Sequence, residues 1–129
     1  MRKKINISLK LVLLALLTVT ACEQYNWDPP KWDPDDNSNP ERPRPLDYDD
    51  HVAPLFEAYN CTGCHNGVIP PDLRASESYA ALTSGSYLNF ADVEESEIAV
   101  RVADPEHGGT WSTVHYFTLL DWIHSESGK

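Results

Sequence analysis

Two cysteines and a histidine stand close enough in the sequence to act on one chemical group, in the run Cys61-Thr62-Gly63-Cys64-His65. Thiolates and imidazoles bind zinc, and a Cys-x-x-Cys pair can also work as a redox-active dithiol. The spacing allows a third chemistry, in which both thiols form thioethers with one porphyrin and the following imidazole binds its iron. The motif alone leaves all three open.

The rest of the sequence favours the porphyrin. A closed zinc site needs more ligands, and the sequence has no second cysteine pair, since its third cysteine is Cys22. A thioredoxin-like dithiol needs a βαβ context, and no stretch of useful length alternates between apolar and polar residues. We therefore predict one covalent haem c, attached through Cys61 and Cys64, with His65 as an axial ligand of the iron.

The N-terminal segment 1–21 has the features of a secretory signal. A basic start is followed by an apolar run that is too short to span a bilayer and then by Val19-Thr20-Ala21. Cys22 comes directly after these residues, and the sequence around it resembles the lipobox of bacterial lipoproteins. That resemblance implies cleavage before Cys22 and lipid attachment to it. The predicted location is the cell envelope of a bacterium, to which the exported protein is lipid-anchored.

The charge of the predicted mature chain limits its partners. Of ten Lys and Arg residues four lie in the predicted signal, whereas all twenty Asp and Glu lie after it, so the formal mature charge is −14. A surface this acidic repels nucleic acid and favours protein partners with a cationic docking face. Lipid and haem together would also use all three cysteines, which leaves no odd thiol.

Residues 22–46 are predicted to form a disordered tether. They hold six prolines together with many Asp and Asn residues, and repeated proline removes backbone donors and fixes φ, so no helix can persist. The short repeat Trp27-Asp28-Pro29 and Trp32-Asp33-Pro34 falls within this tether. The folded haem domain is then predicted to span 47–129.

The domain is predicted to be all-α, with three to four short helices. They are expected from about Asp50 to Tyr59, from Ser76 to Gly85, from Val93 to Val102 and from Ser112 to Ser125. The last is the clearest. At about 100° per residue it presents one face to the core; the residues on that face are His115, Tyr116, Leu119, Trp122 and Ile123, with Thr118 and Asp121 outside it.

In these features the sequence resembles the class I cytochromes c, over about residues 47–129. The family places a helix directly before the attachment motif, follows the haem histidine with a Pro-x-Leu turn, here Pro71-Asp72-Leu73, and ends on a helix with an aromatic-aliphatic pair, here Trp122-Ile123. The lipoprotein form with its Pro-rich linker resembles small haem lipoproteins of Bacteroidota-type bacteria.

The resemblance implies roles for residues around the haem. The carbonyl of Pro70 would accept the N–H of the proximal imidazole, and Leu73 would pack on the porphyrin. Trp122 would support the pocket. Together with Ile123 it would cross the first helix near Leu55, Phe56 and Tyr59.

The sequence departs from the family at the distal ligand. The family usually supplies a methionine before the last helix, but the only methionine here is Met1, inside the predicted signal. His107 stands where the family has its methionine, so we predict it as the second axial ligand. His115, on the inward face of the last helix, is the less favoured candidate. His51 is expected to face solvent or to contact the helix cap, and His124 is expected to face solvent.

The resemblance implies a monohaem electron carrier and no enzyme. An alternative is a haem sensor or small-ligand-binding module whose sixth iron position is open or displaceable. A second alternative is peroxidase-like activity, suggested weakly by Arg101 and Glu106 near His107.

Lipid anchoring can be tested with Cys22→Ala. Without the thiol no lipid can attach, so this variant should stay unprocessed or leave the membrane fraction, whereas the wild-type protein should enter the detergent phase on detergent phase separation, because several acyl chains bind a membrane firmly. Wild-type protein found wholly in the aqueous phase would contradict the anchor.

Overall fold

The computed structural model describes residues 31–107 and 111–129. The chain divides into two units, Met1–Lys31 and Trp32–Lys129. The predicted signal, Cys22, Trp27 and the pair Gly108-Gly109 lie outside the described residues. The second unit is helical and has no strand among the described residues, which confirms the predicted all-α class. Its helices are α1 Tyr48–His51, α2 Ala53–Ala58, α3 Ser78–Ser84, α4 Glu97–Ala103 and α5 Thr113–Glu126.

The helix predicted before the attachment motif is present but broken in two. Asp47 caps α1 by accepting a hydrogen bond from the amide of Asp50 at 3.0 Å. Pro54 has no N–H to continue the helix, and α2 restarts from Val52, whose carbonyl accepts from the Leu55 amide at 3.0 Å. The chain therefore remains helical up to Ala58, immediately before the motif.

The two middle helices also lie close to their predicted positions. Helix α3 ends at its cap Gly85, as predicted, and buries Leu82. The third predicted helix becomes a 3-10 turn, Val93–Glu95, followed by α4. The side chains of Val93, Ile98 and Val102 in this stretch are all in the core.

Helix α5 is buried on more than the predicted face. Its cap Ser112 accepts a hydrogen bond from the His115 amide at 3.3 Å. Leu119, Trp122 and Ile123 are buried as predicted, but Thr118 and Asp121, which are expected outside that face, are buried as well. The prediction for those two is wrong: a second layer of chain covers Asp121, and the Thr118 hydroxyl donates within the helix to the Val114 carbonyl at 2.9 Å.

That layer consists of residues 32–46, which we call the N-terminal strap. The Asp121 carboxylate is 4% exposed and forms an ion pair with Arg42, whose Nε donates to Oδ2 at 3.0 Å. The indole of Trp32 donates to Oδ1 of the same carboxylate at 3.0 Å, and the Arg42 guanidinium lies 5.6 Å from the ring centre of Phe117. The predicted tether is therefore wrong for residues 32–46, because hydrogen bonds to a buried charge hold them against the domain.

The far side of α5 packs on the start of the domain. Trp122 lies 4.7 Å from Tyr48 between ring centres, so it meets the first helical segment at α1. The Tyr48 hydroxyl donates to the Ser78 hydroxyl at 2.7 Å, which joins α1 to α3 in the interior. Tyr59, at the end of α2, meets α5 at His115. The last helix therefore meets the start of the domain at Tyr48 and Tyr59, and Trp122 forms its aromatic contact at Tyr48, earlier in the chain than predicted.

Within residues 31–107 and 111–129, no helix combines the length and the apolar character that crossing a membrane requires.

The strap can be tested by comparing Arg42→Met with Arg44→Met. Arg42 is almost fully buried against Asp121, so its loss leaves an unpaired buried charge and should lower the free energy of unfolding by about 3 kcal/mol. Arg44 reaches the same carboxylate at 3.5 Å but is 42% exposed, so its loss should cost under about 1 kcal/mol. Guanidinium unfolding of both variants provides the measurement. Equal losses would show that the strap is not held by this ion pair.

Candidate functional site

The attachment motif lies in a tight turn directly after α2. Asn60 has a left-handed backbone, with φ 58° and ψ 23°, a conformation that asparagine tolerates better than most residues. A 3-10 turn, Cys61–Gly63, follows, and the His65 amide donates to the Cys61 carbonyl at 2.9 Å. Cys61 and Cys64 do not form a disulfide. The turn brings Cys61, Cys64 and His65 to the wall of one cavity.

The two thiols differ in their surroundings. Cys61 is half-buried, and burial raises the pKa of its thiol above the ordinary value. Cys64 is exposed. The two thiols therefore differ in solvent access, since Cys61 is half-buried and solvent reaches Cys64 freely.

His65 is oriented by the loop that follows it. The Leu73 amide donates to the His65 carbonyl at 2.8 Å and closes this loop, while the Leu73 side chain is buried. The imidazole Nδ1 lies 3.1 Å from the Pro71 carbonyl and 3.2 Å from the Ile69 carbonyl. Carbonyls only accept, so Nδ1 must carry the proton, which leaves Nε2 with the lone pair that binds a metal.

The prediction that the Pro70 carbonyl accepts the hydrogen bond from this imidazole is wrong. The acceptors are the carbonyls on either side of it, those of Ile69 and Pro71. The chain bends at Ile69, Pro70 and Pro71, and this bend brings the first and third of these carbonyls to the ring. Pro70 and Pro71 both line the cavity, as predicted for pocket residues.

The cavity has a volume of about 610 Å³, within the range of about 300–1,000 Å³ that is usual for small-molecule and cofactor sites. Leu73, Ile98, Val102 and Trp111 contribute its apolar walls, and Arg101 is the one cation among its described lining residues. Two carboxylates, Glu97 and Glu106, also line it; the remaining described lining residues are Tyr59, Asn60, Cys61, Cys64, His65, Ile69, Pro70, Pro71, Tyr87 and His107.

His107 lies across the cavity from the attachment motif. It follows a turn at the end of α4, in which its amide donates to the Asp104 carbonyl at 3.1 Å and the Glu106 amide donates to Asp104 Oδ1 at 2.9 Å. The ring centres of His65 and His107 are 6.1 Å apart, with 46° between the ring planes. The structure thus brings these two predicted ligands together.

The other histidines lie elsewhere. His115 does not line the cavity; its Nδ1 is 2.9 Å from the hydroxyl of Tyr59. His51 Nδ1 is 2.9 Å from the Asp47 amide at the start of α1, and the His124 ring meets Trp32 edge-on at 5.7 Å. Trp122, predicted to support the pocket, is not a lining residue, because it packs between Tyr48 and Tyr79 on the other side of α5.

Sequence reasoning missed the two aromatic residues that flank the site, Tyr59 and Trp111. Both line the cavity, and their rings stack with centres 5.0 Å apart and 17° between planes. Their positions in the sequence could have indicated a place near the site, since Tyr59 comes two residues before Cys61 and Trp111 directly precedes the cap of α5. Among the described residues, no group of three or more His, Cys, Asp or Glu side chains is arranged to hold a free metal ion.

No protein-family model, curated protein or solved structure matches this chain.

Proposed function

We propose that this protein is a membrane-anchored electron carrier with one haem, bound covalently through Cys61 and Cys64 and ligated axially by His65 and His107. The observation that carries the proposal is the pair of imidazoles that line one cavity with their ring centres 6.1 Å apart. Metal–imidazole bonds of about 2 Å, with about 1 Å from each nitrogen to its ring centre, put two axial imidazoles of one metal about 6 Å apart.

The cavity residues fit the chemistry of this cofactor. Both thiols line the same wall, and the residue after the second thiol presents a free Nε2 because carbonyls occupy Nδ1. Hydrogen bonds to Nδ1 fix the ring and raise its basicity. The apolar side chains Leu73, Ile98 and Val102 suit the faces of a porphyrin. Haem, when bound, supplies an iron that accepts and releases one electron.

The protein's own residues would then set how readily the iron is reduced. Two imidazoles give a lower reduction potential than an imidazole with a thioether, and the mature sequence after the predicted signal has no methionine. Glu97 and Glu106 line the cavity and outnumber Arg101, so the local charge also stabilises the more positive ferric iron. The acidic surface favours redox partners with cationic docking faces.

A second candidate function is a haem sensor or small-ligand-binding module. The observation that favours it is the place of His107, which is exposed and lies in a turn rather than on a helix. A ligand from such a turn can be displaced, and a small molecule could then reach the iron. Arg101 and Glu106, the residues that suggest peroxidase-like activity, line the same cavity.

Covalent attachment can be tested on the purified protein. Extraction with acidified acetone should leave the haem on the chain, and the intact mass should exceed that of the processed polypeptide by one haem. Cys64→Ala should lose the stable attachment and much of the helix signal in circular dichroism, because a domain of this size depends on its cofactor for a complete core.

Thr62→Ala is the matched control, since it changes a residue between the two cysteines without removing a thiol. It should keep both the haem and the helical signal. If acidified acetone removes all the haem from the wild-type protein, the proposal fails.

The axial pair can be tested by comparing His107→Ala with His115→Ala. The first should open the iron, so that the ferrous protein binds carbon monoxide readily, and the second should leave a six-coordinate spectrum, because His115 lies outside the cavity. His107→Met should remain six-coordinate but have a higher reduction potential, since a thioether replaces an imidazole. Ready binding of carbon monoxide by the wild-type protein would favour the sensor instead.

A further inference from the structure

The hydroxyl of Tyr59 sits between two partners that belong to the start of α5. The Ser112 amide donates to Tyr59 Oη at 2.9 Å, and Oη is 2.9 Å from His115 Nδ1. A backbone amide can only donate, so the phenol oxygen accepts there and its own proton is free to be donated to the imidazole. One side chain from the end of α2 therefore fixes the entry of α5 by two hydrogen bonds.

Trp111 adds to this attachment. Its ring stacks on Tyr59 at 5.0 Å, and it also lies 5.5 Å from Phe56 between ring centres. Its amide donates to the Val102 carbonyl at 3.4 Å, and its side chain is buried. The chain at Trp111 and Ser112 is thus held both to the end of α4 and to the residue that leads into the attachment motif.

His107 lies on the segment that begins and ends at these attachments. On its N-terminal side is the Asp104 turn that follows α4. The Trp111 amide bonds to the Val102 carbonyl, which ties Trp111 to the end of α4 from which this turn projects. A displacement of Trp111 therefore acts on the end of α4 and on the turn that carries His107.

We propose that Tyr59 is a positioning residue for the distal ligand: it holds the base of the segment that carries His107 and so keeps that imidazole opposite His65. The proposal rests on the proposed function, since it takes His107 as the sixth ligand of a haem iron. Tyr59 acts through Trp111 and Ser112, and it links the distal segment to the residues directly before the two thiols.

The test uses Tyr59→Phe in the holo-protein. The substitution removes both hydrogen bonds and keeps the ring that stacks on Trp111. Carbon monoxide should bind the ferrous variant about tenfold faster than the wild type, because His107 leaves the iron more often when the base of its segment is looser. Stopped-flow mixing with carbon monoxide measures this rate.

Tyr116→Phe is the matched control. It removes the same hydroxyl from a half-buried tyrosine of α5 that does not line the cavity, so it should leave the rate unchanged. His115→Leu removes only one partner of Tyr59 and should raise the rate by a smaller factor, about threefold. This second variant tests the proposal even if Tyr59→Phe does not accumulate.

The double variant Tyr59→Phe/His107→Ala separates positioning from a general loss of stability. If Tyr59 acts through His107, its substitution should add nothing to the rate of His107→Ala. An added increase in the double variant, or a wild-type rate in both Tyr59→Phe and His115→Leu, would overturn the proposal. Failure of the axial assignment itself looks different, since His107→Ala alone would then leave gas binding unchanged.

Discussion

A buried carboxylate on the last helix sets much of the packing of this domain. Asp121 lies where solvent cannot neutralise it, so the cost of burying its charge must be offset by partners. Arg42 and Trp32 provide them, and the N-terminal strap that carries both must therefore lie along α5. With one side covered by the strap and the other packed on Tyr48, α5 has a fixed place from which Ser112 and His115 reach Tyr59.

The candidate site depends on two short connections, not on the helices alone. On one side, the bond from Leu73 to His65 closes a loop whose carbonyls orient the imidazole. On the other side, the stretch between Val102 and Trp111 is closed by a backbone hydrogen bond and carries His107. Each histidine thus lies in a connection that a backbone hydrogen bond closes.

The helices themselves could be predicted well because their signals are local. Asp47, Gly85 and Ser112 mark helix ends by their own chemistry, and the buried positions of α4 follow its helical periodicity. The strap could not be predicted in this way. A proline-rich, acidic stretch has no helical or strand pattern and therefore predicts a tether, whereas its order comes from contacts with a carboxylate some eighty residues later.

The sequence by itself determined the grouping of Cys61, Cys64 and His65, the set of candidate histidines and the all-α class, because each follows from residue type and short spacing. Only the tertiary structure decided which histidine faces His65, since His107 and His115 differ in the direction that the fold gives them and not in chemistry. It also decided that Ile69 and Pro71 rather than Pro70 orient the imidazole, and that Tyr59 joins the two sides of the cavity. Such choices depend on how distant segments meet in space, which no local pattern of residues encodes.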